Sequence, residues 1–221
     1  MFKKILIVEG LDSISLGLST SLSSHFTAEI CTAKSSEEAL IKLKKGIREA
    51  NNFDLVISDL EFVDAINSGP DSGEEFIMAI RDISPNVKIM VYSAENKPYR
   101  IYTLFHKHKI NAFIARGRES IYEIIEATKK IFKSEIIYIS PKYVSFIEKK
   151  SNNDIEEYDV KLLKHLSLGK TQSEISNLFR DEGMQNSSVS SIEKRINKLR
   201  ILLKANNTIN LIAIAKDLGI I

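Results

Sequence analysis

The sequence predicts an α/β protein, a doubly wound five-stranded parallel sheet of receiver or flavodoxin type, followed by a small all-α domain. Three observations predict it. Four apolar runs, Ile5-Leu6-Ile7-Val8, Leu55-Val56-Ile57, Val87-Lys88-Ile89-Met90-Val91-Tyr92 and Ala112-Phe113-Ile114-Ala115, read as strands buried on both faces. Amphipathic helical stretches separate them, the alternation that builds a parallel sheet. Beyond residue 154 every periodic segment has helical spacing.

The elements follow in order. After Val8, Ile14, Leu18, Leu22 and Phe26 recur every four residues, a helical stripe. Ala28 to Ala33 reads as a strand that buries Cys31 as a small apolar residue. A second helix opens at Ser35 with Glu38 as capping-box partner and carries Ala39, Leu40 and Leu43. A third runs from Ser72 through Phe76, Ile77 and Ile80 and stops before Pro85. A fourth follows Pro98 with Ile101, Leu104 and Phe105; a fifth starts at Ser120, with Glu123 as capping partner, and carries Ile124, Ile125 and Ile131. Residues 1–133 form this domain. Residues 134–154 read as a linker holding one short amphipathic helix (Tyr143, Val144, Phe146, Ile147) and a polar, aperiodic tail.

Residues 155–221 then make four helices. Val160, Leu163 and Leu166 share one, stopped by Gly169. Thr171 and Glu174 make a capping box for the next, with Ile175, Leu178 and Phe179. Val189, Ile192, Ile196, Leu199 and Leu203 form the stripe of a long helix, Ser188 to Lys204, and Ile209, Ile212, Ala213 and Ala215 that of the last.

Bulk properties narrow the class. The chain has 221 residues, 43% hydrophobic and 27% charged, with a net charge of +2, ordinary for a soluble protein of one or two domains. One cysteine excludes a disulfide framework within the chain. Neither a signal peptide nor a membrane span is expected, so the expectation is a cytoplasmic protein with no membrane partner.

Functional groups collect at the carboxyl ends of parallel strands. That edge carries Glu9, Asp59, Ser93 and Arg116. An Asp so placed accepts a phosphoryl group when a divalent cation held by nearby carboxylates neutralises the charge. Hydroxyl and cationic side chains then bind the new phosphate oxygens. Asp59 is the nucleophile in this scheme, Glu9 and Asp59 the metal candidates, Ser93 the hydroxyl and Arg116 the cation. Alternate residues on a helix point apart, so His106-Lys107-His108 reads as surface histidines near a helix end rather than a metal site. No nucleophile–His–acid arrangement falls near the strand ends, and no enzyme is expected.

This first domain resembles a response-regulator receiver, and the whole chain resembles the NarL/LuxR type of two-component regulator. The resemblance implies Asp59 as phosphoacceptor, Ser93 as the residue after the fourth strand, Phe113 as the switch aromatic and a sensor histidine kinase as the donor. Departures are plain. The usual acidic pair is Glu9-Gly10, with Asp12 the nearest further carboxylate. The usual Lys is Arg116, a planar fork in place of a point charge. The loop after Asp59 lacks the family's usual proline and is longer by about six residues, through Gly69-Pro70-Asp71-Ser72-Gly73. They imply an atypical pocket, a Mg²⁺ site weakened by the loss at Gly10, and a receiver able to work without phosphorylation.

Between Met184 and Lys204 lie five basic residues and one acidic, whereas 151–221 carries ten basic against nine acidic. The charge is local, as on a helix laid along a polyanion. Gly169, Glu174-Ile175, Ser191-Ile192, Asn207 and Leu211 fall at intervals similar to the LuxR-type helix-turn-helix. That resemblance makes Ser188–Lys204 the recognition helix, with Ser190, Ser191, Lys194, Arg195, Lys198 and Arg200 toward double-stranded DNA, and the last helix a contact of a homodimer. Glu193 reads as a capping partner for Ser190. The turn from Arg180 to Asn186 is longer than the family's. The expectation is a DNA-binding transcription regulator. Its alternative is a receiver-fold protein that is never phosphorylated and acts through protein–protein contacts.

Overall fold

A computed structural model describes residues 1–61, 72–133, 136–149 and 155–221. The elements are β1 (Lys4–Val8), α1 (Asp12–His25), β2 (Glu29–Ala33), α2 (Ser36–Arg48), β3 (Leu55–Ser58), α3 (Gly73–Ile83), β4 (Lys88–Ser93), α4 (Pro98–His106), β5 (Ala112–Ala115), α5 (Ser120–Lys133), β6 (Tyr138–Ile139), α6 (Pro141–Lys149), α7 (Glu157–Ser167), α8 (Gln172–Asp181), α9 (Val189–Leu202) and α10 (Thr208–Leu218). They fall into two compact units, Met1–Asn96 with Ile101–Val144, and Lys97–Arg100 with Ser145–Ile221.

The first unit is built on a parallel sheet of order β2-β1-β3-β4-β5-β6. Strands β1, β3 and β5 are buried along their whole length, which is why they read as unbroken apolar runs. Side chains alternate between the faces. Ile5, Ile7, Leu55, Ile57, Met90 and Ile114 pack with Leu18 and Leu22 of α1 and Ile124 and Ile131 of α5. The five expected strands are present, and a sixth of two residues is added. In it Tyr138 pairs with Ala112 and Ile139 with Phe113. So short a strand carries no periodicity to see, and it lies in the segment expected as linker.

Several local expectations need correction. Cys31 is half-buried, because β2 is an edge strand whose outer residues are exposed. Ser35 does cap α2, accepting from Glu38 N–H at 3.2 Å. The Glu38 carboxylate, however, takes the N–H of Lys34 at 2.8 Å instead of closing the box on Ser35. Glu123 does not cap α5 at all: its carboxylate accepts from the Ser140 hydroxyl. His108 is buried, with Nε2 3.6 Å from a Glu74 oxygen, while His106 is exposed and stacks on Tyr102. The polar tail at 150–154 and most of the loop after Asp59 lie outside the described residues.

The loop's two ends are described. Gly73 N–H donates to Leu60 O at 3.2 Å, and a Cβ on Gly73 would stand 2.5 Å from Leu60 Cα. Only glycine allows that approach.

The second unit buries Leu162, Leu163, Ile175, Phe179, Ile192, Ile196, Leu199, Leu211 and Ala215 in one core. Gly169 ends α7 at φ +79°, and the Thr171–Glu174 capping box of α8 forms in both directions. The N-cap of α9 is Ser188, which accepts from Ser191 N–H, so Glu193 caps nothing. On α10 the buried positions are Leu211 and Ala215. Ile209 is 80% exposed and Ala213 is exposed, so the expected stripe is rotated from the buried one.

Candidate functional site

Strands β1, β3 and β5 end along one edge of the sheet, which brings Glu9, Asp59 and Arg116 together. Both carboxylates are buried, with side-chain exposures of 4% and 8%. One guanidinium nitrogen of Arg116 donates to both, to Glu9 Oε2 at 2.5 Å and to Asp59 Oδ2 at 2.7 Å. The remaining oxygens take backbone donors. Glu9 Oε1 accepts from Leu11 N–H at 3.0 Å and Asp59 Oδ1 from Leu60 N–H at 2.7 Å. Buried charges need this degree of pairing. The guanidinium also lies over the Tyr92 ring, 5.2 Å from its centroid, and the Tyr92 hydroxyl shares a hydrogen bond with Ser120 Oγ at 3.0 Å. Tyr92 is a site residue that the sequence does not single out; its place inside an apolar strand carries no signal.

The donor set does not suit Mg²⁺. That ion asks for near-octahedral oxygen ligands and gives up water reluctantly. Here the two carboxylates are bridged by a cation of the protein's own, and position 10 is Gly. Asp12 does not supply the missing ligand: its side chain is exposed and paired with Lys34 at 2.7 Å. Among the described residues no cluster of three or more His, Cys, Asp or Glu comes together as a metal would need.

Ser93 and Phe113 flank the pocket but belong to the interior. Ser93 is fully buried, its hydroxyl accepting from Glu95 N–H at 3.3 Å. Phe113, also fully buried, meets Tyr143 of α6 edge-to-face at 5.7 Å. The Tyr143 hydroxyl donates to Glu95 O at 3.3 Å. Thus Tyr143 closes over the aromatic and holds the loop that follows β4. Its amphipathic stretch was legible, its partner was not.

In the second unit α9 has two unlike faces. Ile192, Ile196 and Leu199 are buried. Ser190, Glu193, Lys194, Asn197 and Lys198 are exposed, and Ser191 is half-buried with its hydroxyl on Ser188 at 2.8 Å. Lys194 and Lys198 have no ion-pair partner among the described residues. Two arginines expected on this face are committed elsewhere. Arg195 holds Asp159 of α7 through two nitrogens, Nε to Oδ1 and NH2 to Oδ2 at 2.5 Å, and Glu156 at 3.0 Å. Asp159 is fully buried and also takes Glu156 N–H at 2.8 Å. The Asp159 carboxylate beside it raises the Arg195 pKa above its already high ordinary value. Arg200 donates to Asn206 O at 2.6 Å and so fastens the turn before α10. The free positive charge of α9 is therefore lysine. Nothing in the sequence marked Asp159 as the partner, since an acid near a helix start reads as a solvated cap.

A model described as a family of unknown function (DUF5932) matches residues 121–217, from inside α5 to the end of α10. No curated protein matches the sequence significantly. Among solved structures, two RcsB dimers bound to two parallel DNAs match at TM-score 0.63 and 16% identity, over 97% of this chain and 98% of that one. RcsB from Salmonella enterica serovar Typhimurium bound to promoter P1flhDC matches at TM-score 0.62 and 18% identity, over the same shares. Its isolated REC domain matches at TM-score 0.53 and 18% identity, over 66% of this chain and 97% of that one. At such identities the likeness is one of fold, an α/β receiver-type unit followed by a helical unit.

Proposed function

We propose that the chain is a DNA-binding transcription regulator of response-regulator type, acting by binding rather than by catalysis. The observation that carries it is the exposed face of α9, where Lys194 and Lys198 stand unpaired among the described residues beside Ser190 and Asn197. Two lysines without carboxylate partners suit the phosphates of a duplex, with α9 in the major groove. The full-length likeness to RcsB structures on DNA supports that placement, and the dimers in one of them support a homodimer on a two-fold site. The test is binding to mixed-sequence duplex DNA titrated against salt. Affinity should fall steeply, with the slope set by the number of phosphates neutralised. Salt-insensitive binding, or none, would favour the protein–protein alternative.

We infer further that the receiver-type unit works without phosphoryl transfer. Arg116 already bridges Glu9 and Asp59, so the nucleophile's charge is neutralised by an internal cation. A sensor kinase is then no obligatory partner. Incubation with Mg²⁺ and a small phosphodonor should leave the mass unchanged; a phosphoryl adduct on Asp59 refutes this part alone. No helix among the described residues is long and apolar enough to cross a membrane.

A further inference from the structure

The turn between α8 and α9 is more ordered than a connection needs to be. Met184 N–H donates to Phe179 O at 2.8 Å and Gly183 N–H to Arg180 O at 3.0 Å, with Gly183 at φ +68°. Asn186 holds φ +59°, a left-handed conformation that Asn tolerates better than most residues. Its carbonyl accepts the Tyr158 hydroxyl at 3.0 Å, and the Tyr158 ring packs edge-on against buried Phe179, 5.1 Å away. Residues 182–188 are thus fixed to the core of their own unit at several points.

Fixed in this way, the turn walls a cleft of about 590 Å³ beside the basic face of α9. Gln185 and Asn186 line it from the turn, Tyr158 from α7, and Lys194 and Lys198 from α9. The carboxamides of Gln185 and Asn186 are exposed and make no hydrogen bond among the described residues. Glu156, also in the lining, shares Arg195 with the buried Asp159, so its carboxylate is only partly offset and the two lysines outweigh it by one charge. The cleft therefore offers two cations and two carboxamides on a rigid support. A carboxamide pairs bidentately with adenine, whose edge shows one acceptor and one donor in the major groove.

We propose that the 182–188 turn is a second sequence-reading element. DNA lies against the cleft beside the α9 groove, Lys194 and Lys198 hold its phosphates, and Gln185 and Asn186 read adenine edges flanking the bases met by α9. This rests on the DNA-binding reading above, and the test separates the two. Duplexes are recovered from a random-sequence pool by the full chain, by the Gln185→Ala/Asn186→Gly double variant, and by Lys194→Ala. Both variants are checked by thermal unfolding, and glycine keeps the left-handed backbone at 186 unstrained.

The parent should recover a core motif with a flanking adenine preference. The double variant should recover the core and lose about tenfold of the preference at each flanking adenine, the scale of one bidentate base contact. Its salt dependence should equal the parent's, since no charge is removed, whereas Lys194→Ala should keep both parts of the motif and lower the slope by about one unit. If the double variant recovers the parent's motif unchanged, the turn reads nothing. A loss spread over the whole motif also overturns the proposal, because the turn would then only position α9. A parent that recovers no motif and binds without salt dependence overturns the DNA-binding reading itself.

Discussion

At the scale of single residues, Arg116 and Arg195 occupy equivalent positions in the logic of their units. Each is a guanidinium committed to buried carboxylates, and in each case one partner's removal strands a charge. Arg116→Met should cost about 3–5 kcal/mol in denaturant unfolding, the range for breaking a buried pair. Adding Asp59→Asn should recover part of it. Arg195→Ala should destabilise the second unit on the same scale through Asp159, while Lys194→Ala, on the exposed face, should stay within about 0.5 kcal/mol of the parent. Equal effects of the two would refute the division of α9 into holding and binding charges. A constructive test concerns the metal. A Cβ at Gly10 would meet only Lys34 O at 3.6 Å, an ordinary contact, so Gly10→Asp fits. Together with Arg116→Lys it should raise Mg²⁺ affinity by calorimetry, and a parent that already binds Mg²⁺ as tightly would show that Arg116 gives way.

At the scale of elements, the N-terminal caps decide where helices begin. Thr171→Ala should cost about 1 kcal/mol, the usual worth of such a cap. Glu38 at the start of α2 has its pKa lowered, first by the Lys42 ammonium at 2.6 Å and then by Lys34 N–H. A carboxylate favoured in the folded state stabilises above its ordinary value of 4.5, and that contribution is lost as pH falls through the lower folded value. Urea midpoints of the parent and Glu38→Gln should therefore differ at neutral pH and converge in acid. The elements themselves were legible because their signals are local. Apolar runs gave the long strands, and Ser72 and Thr171 marked their helices. Cys31, Tyr138 and the α10 stripe were not. An edge strand, a two-residue strand and a helix with apolar residues on both faces are decided by neighbours that no local window contains.

At the scale of the whole molecule, the shared edge of a parallel sheet was the part of the site most readily foreseen. Parallel strands align their carboxyl ends, so Glu9, Asp59 and Arg116 had to meet near one edge. What they do on meeting was hidden. The same residues serve as ion ligands if Arg116 points away and as a closed triad if it points inward, and the sequence is alike in both cases. The α9 charges show the same limit. Four basic residues on α9 were visible, but only tertiary packing separates Arg195 and Arg200 from Lys194 and Lys198. Binding measured over a salt series should thus report two phosphate contacts per chain from Lys194 and Lys198, and their double alanine variant should lower the slope by about two units per chain.

The hydrogen bond from Gly73 to Leu60 sets the two ends of the loop after Asp59 against each other. Whatever lies between them, the chain leaves and returns at one point. Closing a longer loop there costs little more than closing a shorter one, since the entropy grows only with the logarithm of length. The position is thus a natural graft site: a reporter peptide spliced between residues 61 and 72 should leave the sheet's register untouched. Gly73→Ala should abolish that tolerance, because its methyl group would collide with Leu60 and pry the two ends apart.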